Sequence, residues 1–256
     1  MSSVRLPSRL HAGSIAGRTR NSSVRYILPL PDAVGRTRHI CAGLAWTLVF
    51  AYLLAERVTA TASKTAYSFR HDTISDLGVT TCTPNACSPL HLVMNATFVA
   101  LGSLTVVGAA GLLDYIPHGP RQWSIVVLAV VIGASTAATG VFPSDDGIVV
   151  HALAVMPAFV SRHIVLILLT IWLWRNWRMA AIWSGLCATA GLTGTVLLMI
   201  GLQVGVTERL VFYPLPAWMA VTGTAIVLTT ARTAMPWRRT LRWIGRPRYE
   251  TVGESR

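Results

Sequence analysis

Leu90 to Leu113 reads LHLVMNATFVALGSLTVVGAAGLL, 24 residues without one Asp, Glu, Lys or Arg. A helical membrane span needs about 20 consecutive apolar residues, so this stretch alone is long enough. Working outward, five more stretches have the same character. Ile40 to about Ala60 precedes it; Gln122 to Ser144, Gly147 to Trp174, Met179 to Thr207 and Leu210 to Ala231 follow. The predicted fold class is all-α: a polytopic membrane helix bundle with six transmembrane helices. Residues 39–231 form that domain, between a basic tail at 1–38, expected to be disordered, and a second basic tail at 232–256.

The composition agrees. Of 256 residues 53% are hydrophobic and 12% charged, half the charged share of a soluble domain, about 25%. An ordinary soluble enzyme is excluded. The net charge of +12 invites a nucleic-acid reading, but the charges lie in the wrong places for one. Seven arginines precede residue 39 and seven follow residue 231, with Arg121, Arg175 and Arg178 in two short loops. The other three loops hold only Arg57, Lys64, Arg70 and Arg209. By the positive-inside rule both termini are expected to be cytoplasmic, in a multi-pass protein of the plasma (inner) membrane. The expected partners are the lipid bilayer and, at the basic tails, anionic lipids; no nucleic acid is expected.

The acids sort the other way. Glu56, Asp72, Asp76, Asp145, Asp146 and Glu208 fall at or near the expected outward face, with His71, His91 and His151. Ionisable groups near membrane depth are costly and tend to serve function. The first outward loop carries His71-Asp72-Thr73-Ile74-Ser75-Asp76-Leu77-Gly78. Asp72, Ser75 and Asp76 read either as ligand-binding groups or as local caps, and Gly78 as a helix-ending residue. Cys82 and Cys87 in the same loop suit a disulfide outside the cytoplasm. Ser88-Pro89 is a plausible N-cap and first helical residue for the second span. His91 and Asn95 then share one helix face, as helix glue or as pocket lining.

In the third span, Gly133 to Gly140 is a run of small residues suited to close helix contact. A tight turn with Asp145 and Asp146 leads to His151. His151 and Arg162 are 11 residues apart, so they share a face, about 20° apart and roughly 16 Å along the axis. Arg162 either snorkels to the cytoplasmic interface or pairs inside the bundle with Asp76, Glu208 or Asn95. Pro157 is expected to bend the helix between them. Glu208-Arg209 reads as a solvated pair at a turn closing span five, or as a carboxylate reaching Arg162 or a helix terminus.

Ser75-Asp76-Leu77-Gly78, Ser88-Pro89 with Asn95, Gly140 to Asp145, His151 and Glu208-Arg209 resemble the bacterial integral-membrane family catalogued as domain of unknown function 998. The resemblance runs from about Arg38 to Ala231. It implies a six-span membrane protein of unestablished activity and supplies no reaction; Arg162 and His163 lie outside its motif.

Two functions follow as expectations. In the first, an outward-facing pocket formed by Ser75, Asp76, His91, Asn95, Asp145, His151, Glu208 and Arg209 binds a lipid headgroup or small solute. The alternative is a metal-dependent intramembrane hydrolase, similar in outline to the ceramidase and adiponectin-receptor superfamily. Asp76, His91, Asp145 and His151 would then hold zinc and activate water. The late-span His-x-x-x-His pair of that superfamily is missing, since spans five and six contain no His. Haem ligation by His151 and His163 is disfavoured by their roughly 120° offset on one helix.

Overall fold

A computed structural model describes residues 33–116 and 118–234. Helix α1 covers Ala33–Leu48 and α2 Ala51–Ala62; together they make the first apolar span, Val34–Ala62, broken by a turn at residues 49–50. Four unbroken spans follow: α3 (His91–Gly111), α4 (Pro120–Val141), α5 (Ile148–Leu173) and α6 (Arg178–Met199). The last span, Val204–Arg232, is α7 (Val204–Phe212) continued by α8 (Pro214–Ala234). Pro214 opens α8, where its missing N–H costs nothing. Six helical segments are thus long and apolar enough to cross a membrane, and the described residues contain no strand. Most of both expected tails lies outside the described residues; the first helix begins at Ala33 and the last runs to Ala234.

The order of packing follows the chain. Helix α3 lies between α1 and α4, α5 between α4 and α6, and α8 closes back on α1. Tyr52, Ile74, Leu77, Met94, Phe98, Leu166, Phe212 and Trp218 fill the interior. Large apolar side chains also stand exposed on the outside, among them Trp123, Val127, Leu153, Ile171, Leu186 and Val196. In water that surface would be a liability; in lipid it is the required one.

The small-residue run of α4 does what spacing predicted, and more. A Cβ on Gly102 of α3 would stand 2.3 Å from the Gly133 carbonyl oxygen, and one on Gly140 would stand 2.2 Å from that of Asn95. The backbones of α3 and α4 therefore touch. On the other side of α4, Ser135 repairs α5 at Pro157. The Ser135 hydroxyl donates to the Ala154 carbonyl and accepts the Ala158 N–H at 2.9 Å. A regular helix would join those two groups directly; a proline there disrupts the ladder, and in a bilayer the freed groups need a partner inside the protein. Ser135→Ala should therefore cost about 1–3 kcal/mol, the penalty of a stranded buried donor. Ser135→Thr, which keeps the hydroxyl, should cost less; thermal unfolding in detergent reads the difference.

The connections at 63–90, 142–147 and 200–203 lie at one end of the bundle by chain alternation, here the loop end. The candidate site is there.

Candidate functional site

The 63–90 loop is held by its own polar residues. Thr73 and Asp76 cap each other: the Asp76 carboxylate accepts the Thr73 N–H at 2.7 Å and the Thr73 hydroxyl accepts the Asp76 N–H at 3.1 Å. This is the reciprocal logic of a capping box, and it shapes the short helical turn Ser75–Gly78. The Asp72 carboxylate accepts the Ser68 N–H at 2.6 Å. Both aspartates are thus local caps. The turn is then fastened to α3. Ser88 donates to the Leu77 carbonyl at 2.7 Å, and the Asn95 amide donates to the Gly78 carbonyl at 2.9 Å. Ser88 does not cap α3, which begins at His91; its hydroxyl is spent on the loop. Gly78 is required for room: a Cβ there would meet the Asn95 side-chain oxygen at 2.4 Å. Cys82 and Cys87 are joined, and Thr83 and Ala86 bond across the turn between them.

Below the loop sits a buried ion pair. Arg209 Nε donates to Glu56 Oε1 at 2.8 Å. Its other nitrogens donate to the carbonyls of Phe69, Asp72 and Gly205 at 3.1, 3.0 and 2.7 Å, and to the Tyr67 hydroxyl. Tyr213 donates to the second Glu56 oxygen at 2.7 Å. Burial holds the Tyr67 phenol well above its ordinary pKa even with Arg209 beside it, so it stays protonated and donates to the Thr73 carbonyl at 2.8 Å. Helix α7 therefore carries Glu208 and Arg209 inside the bundle. The expected solvated pair at a turn is replaced by two neighbours with separate tasks, because α6 ends at Met199 and span six begins at Val204.

Glu208 turns to the other side. Its carboxylate accepts the Ile74 N–H at 2.5 Å and lies 3.4 Å from the Ser75 hydroxyl. Ser75 Oγ also lies 2.9 Å from His151 Nε2. His151 Nδ1 is 2.8 Å from the Phe142 carbonyl. A carbonyl only accepts, so Nδ1 carries the proton, and in the neutral ring Nε2 is an acceptor. Ser75 has one proton, and the shorter, better contact sends it to His151.

A cavity of about 10 Å³ adjoins this group, lined by Ser75, Glu208, Phe98, Phe159, Phe212 and Arg162 among others. That is room for about one water-sized atom. Arg162 is 3% exposed. One guanidinium nitrogen donates to Thr136 at 2.8 Å, and the guanidinium carbon lies 4.2 Å from the centre of the Phe212 ring. Its Nη1 is buried without a hydrogen-bond partner among the described residues. The buried hydroxyl of Tyr52, whose ring also stacks on Phe212, is unpartnered as well. Arg162 does not snorkel. Helical side chains lean towards the N-terminus of their helix, which for α5 is the loop end. Of its expected partners Asp76, Glu208 and Asn95, only Glu208 shares the cavity with it and none bonds it; the direct bond goes to Thr136.

Asp145 has a separate role. One carboxylate oxygen accepts from the Thr80 and Thr81 amides, each at 2.9 Å, and from the Thr80 hydroxyl at 2.8 Å. Burial pushes its pKa up, but these bonds outweigh that and hold it below the ordinary aspartate value. A depressed carboxylate adds stability above its unfolded pKa and loses it as pH falls through the folded one. Hydrogen exchange at Thr80 and Thr81, corrected for intrinsic rate, should accelerate only below the ordinary aspartate range. Asp145→Ala should show the fast rate at every pH; slow exchange there would remove Asp145 from this role.

The profile of the family described as "Protein of unknown function (DUF998)" matches residues 40–225. The chain belongs to this family. Comparison with curated proteins and with solved structures found no match. The match covers every side chain of the site just described, including Arg162, which sequence motifs had left aside.

In this family member the eight expected pocket residues do not all converge. Ser75, His151 and Glu208 meet; Arg209 stands behind them in its own network. Asp76 and Asn95 position the Ser75 turn, Asp145 pins the loop, and His91 Nδ1 folds back to the Ser88 carbonyl at 2.9 Å. No group of three His, Cys, Asp or Glu among the described residues is placed to hold a metal ion. His163 Nε2 bonds Thr195 of α6 at 2.9 Å, away from His151. Sequence reasoning missed Glu56 and Tyr67 as partners of Arg209, and Tyr213 as the second partner of Glu56. One signal was there: Glu56 interrupts an otherwise apolar span.

Proposed function

We propose that this integral membrane protein binds an oxygen-bearing group of a lipid headgroup or small solute in the chamber lined by Ser75, Glu208 and Arg162, with His151 bonded to Ser75 beside it. The observation that carries this reading is the Arg162 guanidinium, 3% exposed and with Nη1 unpartnered, on a cavity it shares with Ser75 and Glu208. Burying an ion costs several kcal/mol unless it is satisfied, so a buried cation with spare donor capacity is a function candidate. The arginine asymmetry of loops and tails supports an outward orientation for this chamber. The cavity admits one oxygen atom at a time, so the ligand inserts one acceptor while the rest stays at the surface.

The test is thermal unfolding of the full chain in detergent with dioctanoylglycerol, dioctanoyl phosphatidylglycerol or acetate. A bound ligand at 100 times its Kd stabilises by about 2.7 kcal/mol. At least one probe should raise the wild-type midpoint, and Arg162→Met should abolish the rise. No rise with any of the three, or an equal rise in the variant, rejects the reading.

A further inference from the structure

We infer that Ser75 and His151 form a nucleophile–base dyad, and that the chamber is an acyl-transfer site for the carboxylic ester of a membrane lipid. This rests on the proposed ligand chamber and names its chemistry. Three observations combine. Ser75 Oγ is 2.9 Å from His151 Nε2, the distance at which an imidazole takes a hydroxyl proton. The Phe142 carbonyl, 2.8 Å from Nδ1, fixes the ring in the tautomer whose Nε2 lone pair faces Ser75. The cavity at Ser75 holds one oxygen-sized atom and is lined by Arg162, whose Nη1 has a hydrogen bond still to give. Nucleophile, base, orienting group and oxyanion donor are the parts acyl transfer requires.

The step balances without a cofactor. Ser75 Oγ bonds to the ester carbonyl carbon as its proton passes to His151 Nε2. The carbonyl oxygen becomes an oxyanion facing Arg162 Nη1. The intermediate collapses, the carbon–oxygen bond to the alcohol breaks, and that alcohol leaves with the proton from His151. Water then attacks the acyl-Ser75 ester by the same route, releasing a carboxylic acid and restoring Ser75. Glu208, on the same cavity, repels an anionic phosphodiester and tolerates a neutral ester carbonyl, which favours carboxylic over phosphate esters. A lipid source is favoured by the setting: the chamber lies near the loop end of helices long and apolar enough to cross a membrane. The outer face of α5 carries an apolar groove of about 490 Å³ along Ile148, Leu153, Met156, Pro157 and Val160. By helix geometry Leu153, Met156 and Val160 stand opposite His151 and Arg162, so this groove meets the surrounding lipid and is not part of the chamber.

The experiment uses the full chain in lipid nanodiscs, a hexadecyl fluorophosphonate and a short polyether fluorophosphonate, with the adduct mapped by mass spectrometry. The expected adduct is on Ser75, absent in Ser75→Ala. His151→Asn keeps a donor for the Phe142 carbonyl but removes the base, and should slow labelling about 100-fold. Faster labelling by the hexadecyl probe assigns a lipid ester; faster labelling by the polyether probe assigns a soluble one. No adduct on wild-type Ser75, or equal rates in His151→Asn, overturns the dyad. The wild-type map is decisive even if a variant folds poorly. If labelling fails while lipid still raises the unfolding midpoint through Arg162, the binding reading stands and only the dyad falls.

Discussion

Glu56→Gln is expected to lower the stability of the protein by about 3–5 kcal/mol, the cost of stranding one partner of a buried ion pair. Glu56 is 1% exposed, and both of its oxygens are engaged, one by Arg209 and one by Tyr213. Removing its charge leaves Arg209 with carbonyls and a phenol but no counter-ion. Arg209 in turn holds the carbonyls of Phe69 and Asp72, so the 63–90 loop loosens along with the pair. Arg209→Met should cost a similar amount by leaving Glu56 charged and unpaired. The double replacement, Glu56→Met with Arg209→Met, should recover part of the loss, since an apolar pair of similar volume is often neutral or better than a buried ion pair. Thermal unfolding in detergent of the three variants gives the coupling directly. Additive losses in the double variant would show that the two residues do not act as a pair.

The same network shows how far the sequence could be read. Spans are a one-dimensional property: the loss of charge over some 20 residues shows in the chain itself. All six are found, most boundaries within a few residues, but the first span begins six residues earlier than expected, the fifth ends eight earlier and the sixth begins six earlier. The shift that mattered was at Glu208-Arg209. Two adjacent opposite charges look the same at a wet turn and in a buried helix. What separates the cases is Glu56, 153 residues away from Arg209 in the chain, and no local pattern encodes that distance. Asp76 was ambiguous for a different reason. A carboxylate that caps its own turn and one that binds a ligand have the same sequence signature, and only the Thr73 amide at 2.7 Å decides between them. Arg162 was recognised as anomalous by depth alone. Its partners, a threonine hydroxyl and two aromatic rings, carry no charge to search for.

Placement of the site depends on helices α3 and α4 keeping backbone contact, and Gly102→Val tests this with the second large effect. The new Cβ would stand 2.3 Å from the Gly133 carbonyl oxygen and 2.8 Å from the Ala137 nitrogen. Those are backbone atoms of a helix, so no side chain can swing aside and the two helices must part. Overpacking of this kind costs about 3 kcal/mol or more when nothing can yield. The damage travels: two turns towards the loop end, Gly140 lies against the Asn95 backbone, and Asn95 holds the Gly78 carbonyl beneath Ser75. Even Gly102→Ala should destabilise, although alanine is favoured over glycine in a helix by about 1 kcal/mol. Gly185→Ala is the internal control. A Cβ there meets only the Thr170 side chain, its methyl at 3.4 Å and its hydroxyl at 3.7 Å, ordinary contacts, so the propensity gain survives and the unfolding midpoint should rise or hold. The same substitution is thus expected to have opposite signs at the two positions. Equal shifts at both would mean that α3 and α4 do not meet backbone to backbone.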